Sequence, residues 1–224
     1  MADIGPELLE GIRKTWQREV SRSKYLQNLR AGFDAGRGGF LQADHYAEEI
    51  GRLLSNAYKA HLSQPGALPN DRLYYNIAET IIPPLLREDF RDVAEQTAKV
   101  IRKRNRQERL SLDAVIPDID EDRIKGLVDG ASSQETIDKS LFYLDAPIVN
   151  FSVHTVDLTA KKNAEFQRSV GLYTVIIRST NGNCCPWCDQ FAGTYDPGDA
   201  GDAYARHENC NCLIEMKPQR MRPR

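Results

Sequence analysis

Leu172-Tyr173-Thr174-Val175-Ile176-Ile177, with Cys185-Pro186-Trp187-Cys188 beginning eight residues later, is the stretch that decides how this chain folds. Its β-branched and aromatic residues predict a buried strand that leads directly into a cysteine turn. A helix over 153–170 precedes it, with Val153, Val156, Leu158 and Phe166 among its apolar positions. Gly171 suits the C-terminal end of that helix, where a left-handed residue is needed. Short strands near Gly193-Thr194-Tyr195 and over Cys212-Leu213-Ile214-Glu215-Met216 complete a small α+β unit.

Upstream the period changes from two to 3.6. Leu8, Leu9, Ile12, Trp16 and Val20 recur at helical spacing, and Gly36, Gly38 and Gly39 form a loop. Tyr46, Ile50, Leu53, Leu54, Ala57 and Tyr58 make the apolar stripe of the next helix. Leu73 to Ile82 predicts a helix that Pro83-Pro84 should break. A further stripe runs through Leu85, Leu86, Phe90, Val93, Val100 and Ile101, and shorter helices follow near 121–128 and 134–143. The expected class is α+β, with a mostly helical first half. The change of character near Pro147 divides it into an elongated helical region, 1–146, and a zinc-stapled domain with a basic tail, 147–224.

With 224 residues, 41% hydrophobic and 28% charged, the chain can bury a sizeable core, and global disorder is excluded. A formal net charge of −2 argues neither for nor against nucleic acid, so any binding to DNA needs a local basic patch. No apolar run approaches the length of a membrane span, and Met1 to Glu10 lacks a signal pattern, so synthesis in a cytoplasm is expected. All five cysteines lie between Cys184 and Cys212. Clustered with a histidine in a reducing compartment, they point to metal rather than disulfides.

Zinc takes four S or N donors at tetrahedral corners, about 2.0–2.3 Å away. Cys185-x-x-Cys188 offers two thiolates from one tight loop, which Pro186 stiffens. Eighteen residues, 189–206, separate it from His207-Glu208-Asn209-Cys210, a second tight pair. The favoured ligands are Cys185, Cys188, His207 and Cys210. Cys212 is the alternative fourth, because residues two apart in an extended segment face one side. Cys184, directly before Cys185, is expected to lie outside the shell. A redox dithiol fits less well, since it would sit at a helix N-terminus and a strand leads into this motif.

Cys185-Pro-Trp-Cys188, Ala192-Gly193-Thr194-Tyr195 and Arg206-His207-Glu208-Asn209-Cys210-Asn211-Cys212 together resemble the C-terminal signature of phage head morphogenesis proteins, the Mu F-like minor head family. That pattern is a C-x-x-C turn, an L-D-G-type segment and a closing H-P-N-C-R-C. Here Glu208 stands in place of the proline and Asn211 in place of the arginine, while the ligand types survive. The resemblance covers roughly Phe151 to Met216. It implies a minor head protein of a tailed phage, located in the virion at the portal vertex. Portal, major capsid and scaffold proteins would be its partners, in capsid assembly and DNA packaging or delivery. No enzymatic activity follows from the shared domain, and a shell of four protein donors, with no position open to water, is expected to hold a structural Zn2+.

Other features carry less. Arg102, Lys103, Arg104, Arg106 and Arg109 could meet packaged DNA, yet they equally suit a helix C-terminus. Asp118-Ile-Asp120-Glu-Asp122 opens like a calcium loop but has Arg123 where glycine is required, so it reads as an acidic helix start. A zinc-stapled nuclease needs a catalytic histidine beside the knuckle, and here the metal claims His207. A cellular zinc module binding nucleic acid or protein is the other competing reading.

Overall fold

The computed structural model describes residues 4–180, 185–207, 210 and 212–218. It is α+β and mostly helical: α1 (Gly5–Arg22), α2 (Lys24–Asp34), α3 (Phe40–Leu62), α4 (Tyr75–Gln107), α5 (Glu121–Ser132), α6 (Ile137–Tyr143), α7 (Ala146–Ser169), β1 (Thr174–Ser179), α8 (Pro186–Asp189), β2 (Gly193–Tyr195) and β3 (Leu213–Pro218). The helix starts follow local chemistry. The Ser23 hydroxyl accepts from Leu26 N at 3.3 Å, and the Asp120 carboxylate from Arg123 N at 3.0 Å. The acidic run at 118–122 is therefore a helix cap, with Glu121 and Asp122 in the first turn of α5.

Pro83 and Pro84 do not end the helix they occupy, and α4 runs through both for 33 residues. Packing outweighs the lost backbone bonds, because Ile81, Ile82, Leu85 and Leu86 are all fully buried. Tyr58, also fully buried, donates its hydroxyl to the Ile81 carbonyl at 3.0 Å. α1, α3 and α4 pack on one another, and α7 closes against α3 and α4. One continuous core extends from Ile12 to Met216. The α3–α7 approach is close, for a methyl group at Gly51 would come within 2.9 Å of the Val149 Cα.

The sheet has the order β2-β1-β3, antiparallel throughout, with Ile176 opposite both Tyr195 and Met216. Pairing begins two residues later than expected. Leu172 N instead bonds the Gln167 carbonyl at 3.0 Å, closing α7 over Gly171, whose φ is +86°. Ile176, Ile214 and Met216 bury against the bundle, so α7 serves both halves of the molecule.

Asp89 lies in this core, fully buried, with its Oδ2 accepting from Ser152 Oγ at 2.9 Å and Oδ1 without a partner. Burial raises its pKa to about 8. The folded state therefore holds a proton that the unfolded chain loses near the ordinary carboxylate value. This contribution to stability is complete below about pH 4 and is lost as pH rises to about 8. Asp89→Asn should flatten that slope in urea unfolding between pH 5 and 8. A gain of a few kcal/mol is expected at pH 8, since wild type must there either hold a proton against solution or bury a carboxylate and the amide does neither. An unchanged pH profile would show that Asp89 ionises normally.

Candidate metal centre

β1 delivers the chain to the cysteine turn. Cys185 caps α8, a single helical turn entered through Pro186, whose fixed φ suits a first helical position. The C-x-x-C pair thus starts a helical turn, where the sequence had suggested a strand leading in and no helix. Between α8 and β3 the chain forms β2 and a short 3-10 turn over Gly201–Tyr204 before reaching Arg206 and His207.

These segments bring five donors together in two overlapping triads. Cys185, Cys188 and His207 form one, and Cys188, Cys210 and Cys212 the other; within each, the ligand atoms lie within 4.8 Å of one another. His207 Nε2 is 3.2 Å from Cys185 Sγ and 3.0 Å from Cys188 Sγ, and Cys188 Sγ is 3.6 Å from Cys210 Sγ. Donors about 2.0–2.3 Å from one ion at tetrahedral corners stand roughly 3.3–3.8 Å apart; the Cys188–Cys210 spacing falls in that range, and the two His207 spacings fall a few tenths of an ångström below it. Cys188, Cys210 and Cys212 are buried and Cys185 is half-buried. These Cys/His groups can hold a metal ion. Cys188 belongs to both triads, and Cys210 and Cys212 both reach the centre. Cys184 falls outside the described residues.

Burial and the neighbouring thiols push the Cys188 thiol well above its usual value. Burial acts the same way on Cys212, but hydrogen bonds from Cys188 and Arg178 outweigh it and bring Cys212 below the usual thiol value. The cluster is therefore asymmetric before any ion enters, with Cys212 the more readily ionised of the two.

Two arginines support the centre, and neither was recognised from sequence. Arg206 is 3% exposed in its side chain and forks onto Asp157 of α7, with Nη2 to Oδ1 at 2.8 Å. It also donates to the Cys212 carbonyl at 2.8 Å and lies 3.5 Å from Asp44 of α3. One side chain thus ties the residue before His207, the residue before β3 and two bundle helices together. Burial raises the Asp44 pKa well above the carboxylate range, against the pull of Arg206. Arg178 of β1 is 1% exposed and stands beside Cys188 and Cys210. A sequence signal for Arg178 existed. It shares the strand face of buried Ile176, two residues earlier, and an inward charge requires a partner. Arg206 left no comparable signal.

The basic segment forms the end of α4. Arg102 pairs with Asp113, Lys103 donates to the Gly38 carbonyl at 2.8 Å, and Arg104 pairs with Glu215 of β3 at 2.9 Å. Arg106 and Arg109 are exposed. Of the tail, Lys217 lies in β3 and residues 219–224 lie outside the described residues. Among the other histidines, His61 Nε2 is 2.8 Å from Thr15 Oγ1, and His154 is 3.9 Å from Asp120. No helix among the described residues is long and apolar enough to cross a membrane.

Comparison with protein-family models, with curated proteins and with solved structures finds no match for this chain.

Proposed function

We propose that this chain is a structural minor head protein of a tailed phage, of the Mu F-like type, whose Cys/His centre holds one structural zinc ion. The observation that carries the reading is the convergence of Cys185, Cys188, His207, Cys210 and Cys212, the motif residues of the resemblance, at one end of a small sheet. Zinc suits the donor set, since thiolates and a neutral imidazole are its preferred structural ligands. A bound ion would supply folding free energy, and four protein donors would leave no position open to activate water.

The protein acts by binding. Its expected partners are the portal protein and the major capsid and scaffold proteins, within the virion, in capsid assembly and DNA packaging or delivery. Exposed Arg106 and Arg109 remain available to DNA, whereas Arg102, Lys103 and Arg104 are engaged within the chain.

Metal analysis of protein purified without added zinc should find about one zinc per chain, and a phage portal protein co-expressed with it should co-purify. A stoichiometry near zero with all thiols titrating freely would remove the metal reading. Magnesium-dependent DNA cleavage, abolished by His207→Ala without loss of fold, would replace the binding reading with a nuclease.

A further inference from the structure

We infer that Arg178 is the charge partner of the metal centre, matched to a shell of three thiolates and His207. This rests on the metal reading above and extends it from the ligands to the residue that neutralises them.

Arg178 is the largest fully buried side chain among the described residues. Its Nη1 donates to the carbonyls of Ala203 at 3.0 Å and Ala205 at 2.6 Å, which lead to His207. Its Nη2 points to Cys188 Sγ at 3.5 Å and Cys210 Sγ at 3.8 Å. Trp187 and Phe191 cover the guanidinium, with ring centroids 5.7 and 5.8 Å from its central carbon. Arg178 therefore touches the C-x-x-C turn, the segment before His207 and the Cys210 thiol at once.

A buried guanidinium needs an anion, because its desolvation costs several kcal/mol that an uncharged partner does not return. Among the described residues no Asp or Glu lies within 4.0 Å of Arg178. Cysteine sulfurs are the anions within its reach. A divalent ion with three thiolates and one neutral imidazole carries one negative charge, which Arg178 balances. Four thiolates would carry two and leave one buried charge uncompensated. Hydrogen bonds from Nη2 would also lower the energy of the sulfur lone pairs on Cys188 and Cys210, as groups outside the ligand shell do in other metal sites.

The test uses the full chain loaded with Co2+ and, separately, Zn2+, comparing wild type with Arg178→Met and Arg178→Lys. Wild type should bind one ion, with thiolate-to-cobalt charge-transfer bands less intense per cobalt than those of a four-cysteine zinc-finger peptide. Arg178→Met should bind about 10–100-fold more weakly in chelator competition, with those bands moved to lower energy. Arg178→Lys, which keeps the charge, should recover part of both changes. It carries the test if circular dichroism shows that Arg178→Met does not fold. Wild type that binds neither ion defeats the metal reading itself. Normal wild-type binding, with unchanged affinity and bands in the folded variants, defeats only the role of Arg178. A per-cobalt intensity equal to the four-cysteine peptide overturns the three-thiolate shell.

Discussion

Cys188→Ser is expected to abolish metal binding and to unfold the sheet region, with a loss of at least several kcal/mol of stability. Cys188 is the member common to both triads, so its removal leaves only the Cys185–His207 and Cys210–Cys212 pairs. Structural zinc contributes roughly 10–16 kcal/mol of binding free energy in isolated finger peptides, against a total stability of about 5–15 kcal/mol for a typical domain. The damage should spread, because Ile176, Ile214 and Met216 belong to the same core as the helices. EDTA should lower the melting temperature of wild type toward that of the variant. Trp187 packs edge-on against His207, with ring centroids 5.5 Å apart, and its near-ultraviolet dichroism should collapse on chelation. Cys210→Ser and Cys212→Ser should be milder than Cys188→Ser, since each leaves the other thiol at the centre. Wild-type melting behaviour in Cys188→Ser would reject a metal that holds the fold.

Arg206→Met should cost about 3–5 kcal/mol in urea unfolding, the penalty for leaving a buried charge without its partner. Asp157 is fully buried and Asp44 is 5% exposed, and both face this one guanidinium. The variant should regain stability as pH falls, because protonating the stranded carboxylates removes the uncompensated charge. Replacing Asp157 by leucine in the same chain should recover much of the loss. A cost below about 1 kcal/mol would mean that water or another cation reaches the carboxylates.

The helices were legible because their apolar stripes are long and regular, and the cysteine cluster because its spacing is dense and few constraints demand it. What escaped were features set by tertiary contacts. Pro83-Pro84 reads locally as a helix end, and only the burial of Ile81, Ile82, Leu85 and Leu86 shows why α4 continues. A stripe records that a face is buried without recording against what, and here much of the α3 face meets α7. The β1 start was misplaced because the closure of α7 over Gly171 takes Leu172. The basic run at 102–109 looked like one surface, yet three of its members fold back onto partners that are distant in sequence or lie across a loop.

The shared helix has a consequence for the order in which the chain acquires its structure. α3 is complete by Leu62, but the helix that covers it begins only at Ala146. During synthesis the part of the α3 face that meets α7 must therefore wait, exposed to solvent or to chaperones, while α4, α5 and α6 emerge. Such distant pairing slows folding and leaves partly made chains prone to association. Fragments cut near residue 146 should for the same reason be sticky and incompletely ordered, and adding α7 as a separate peptide should restore their solubility.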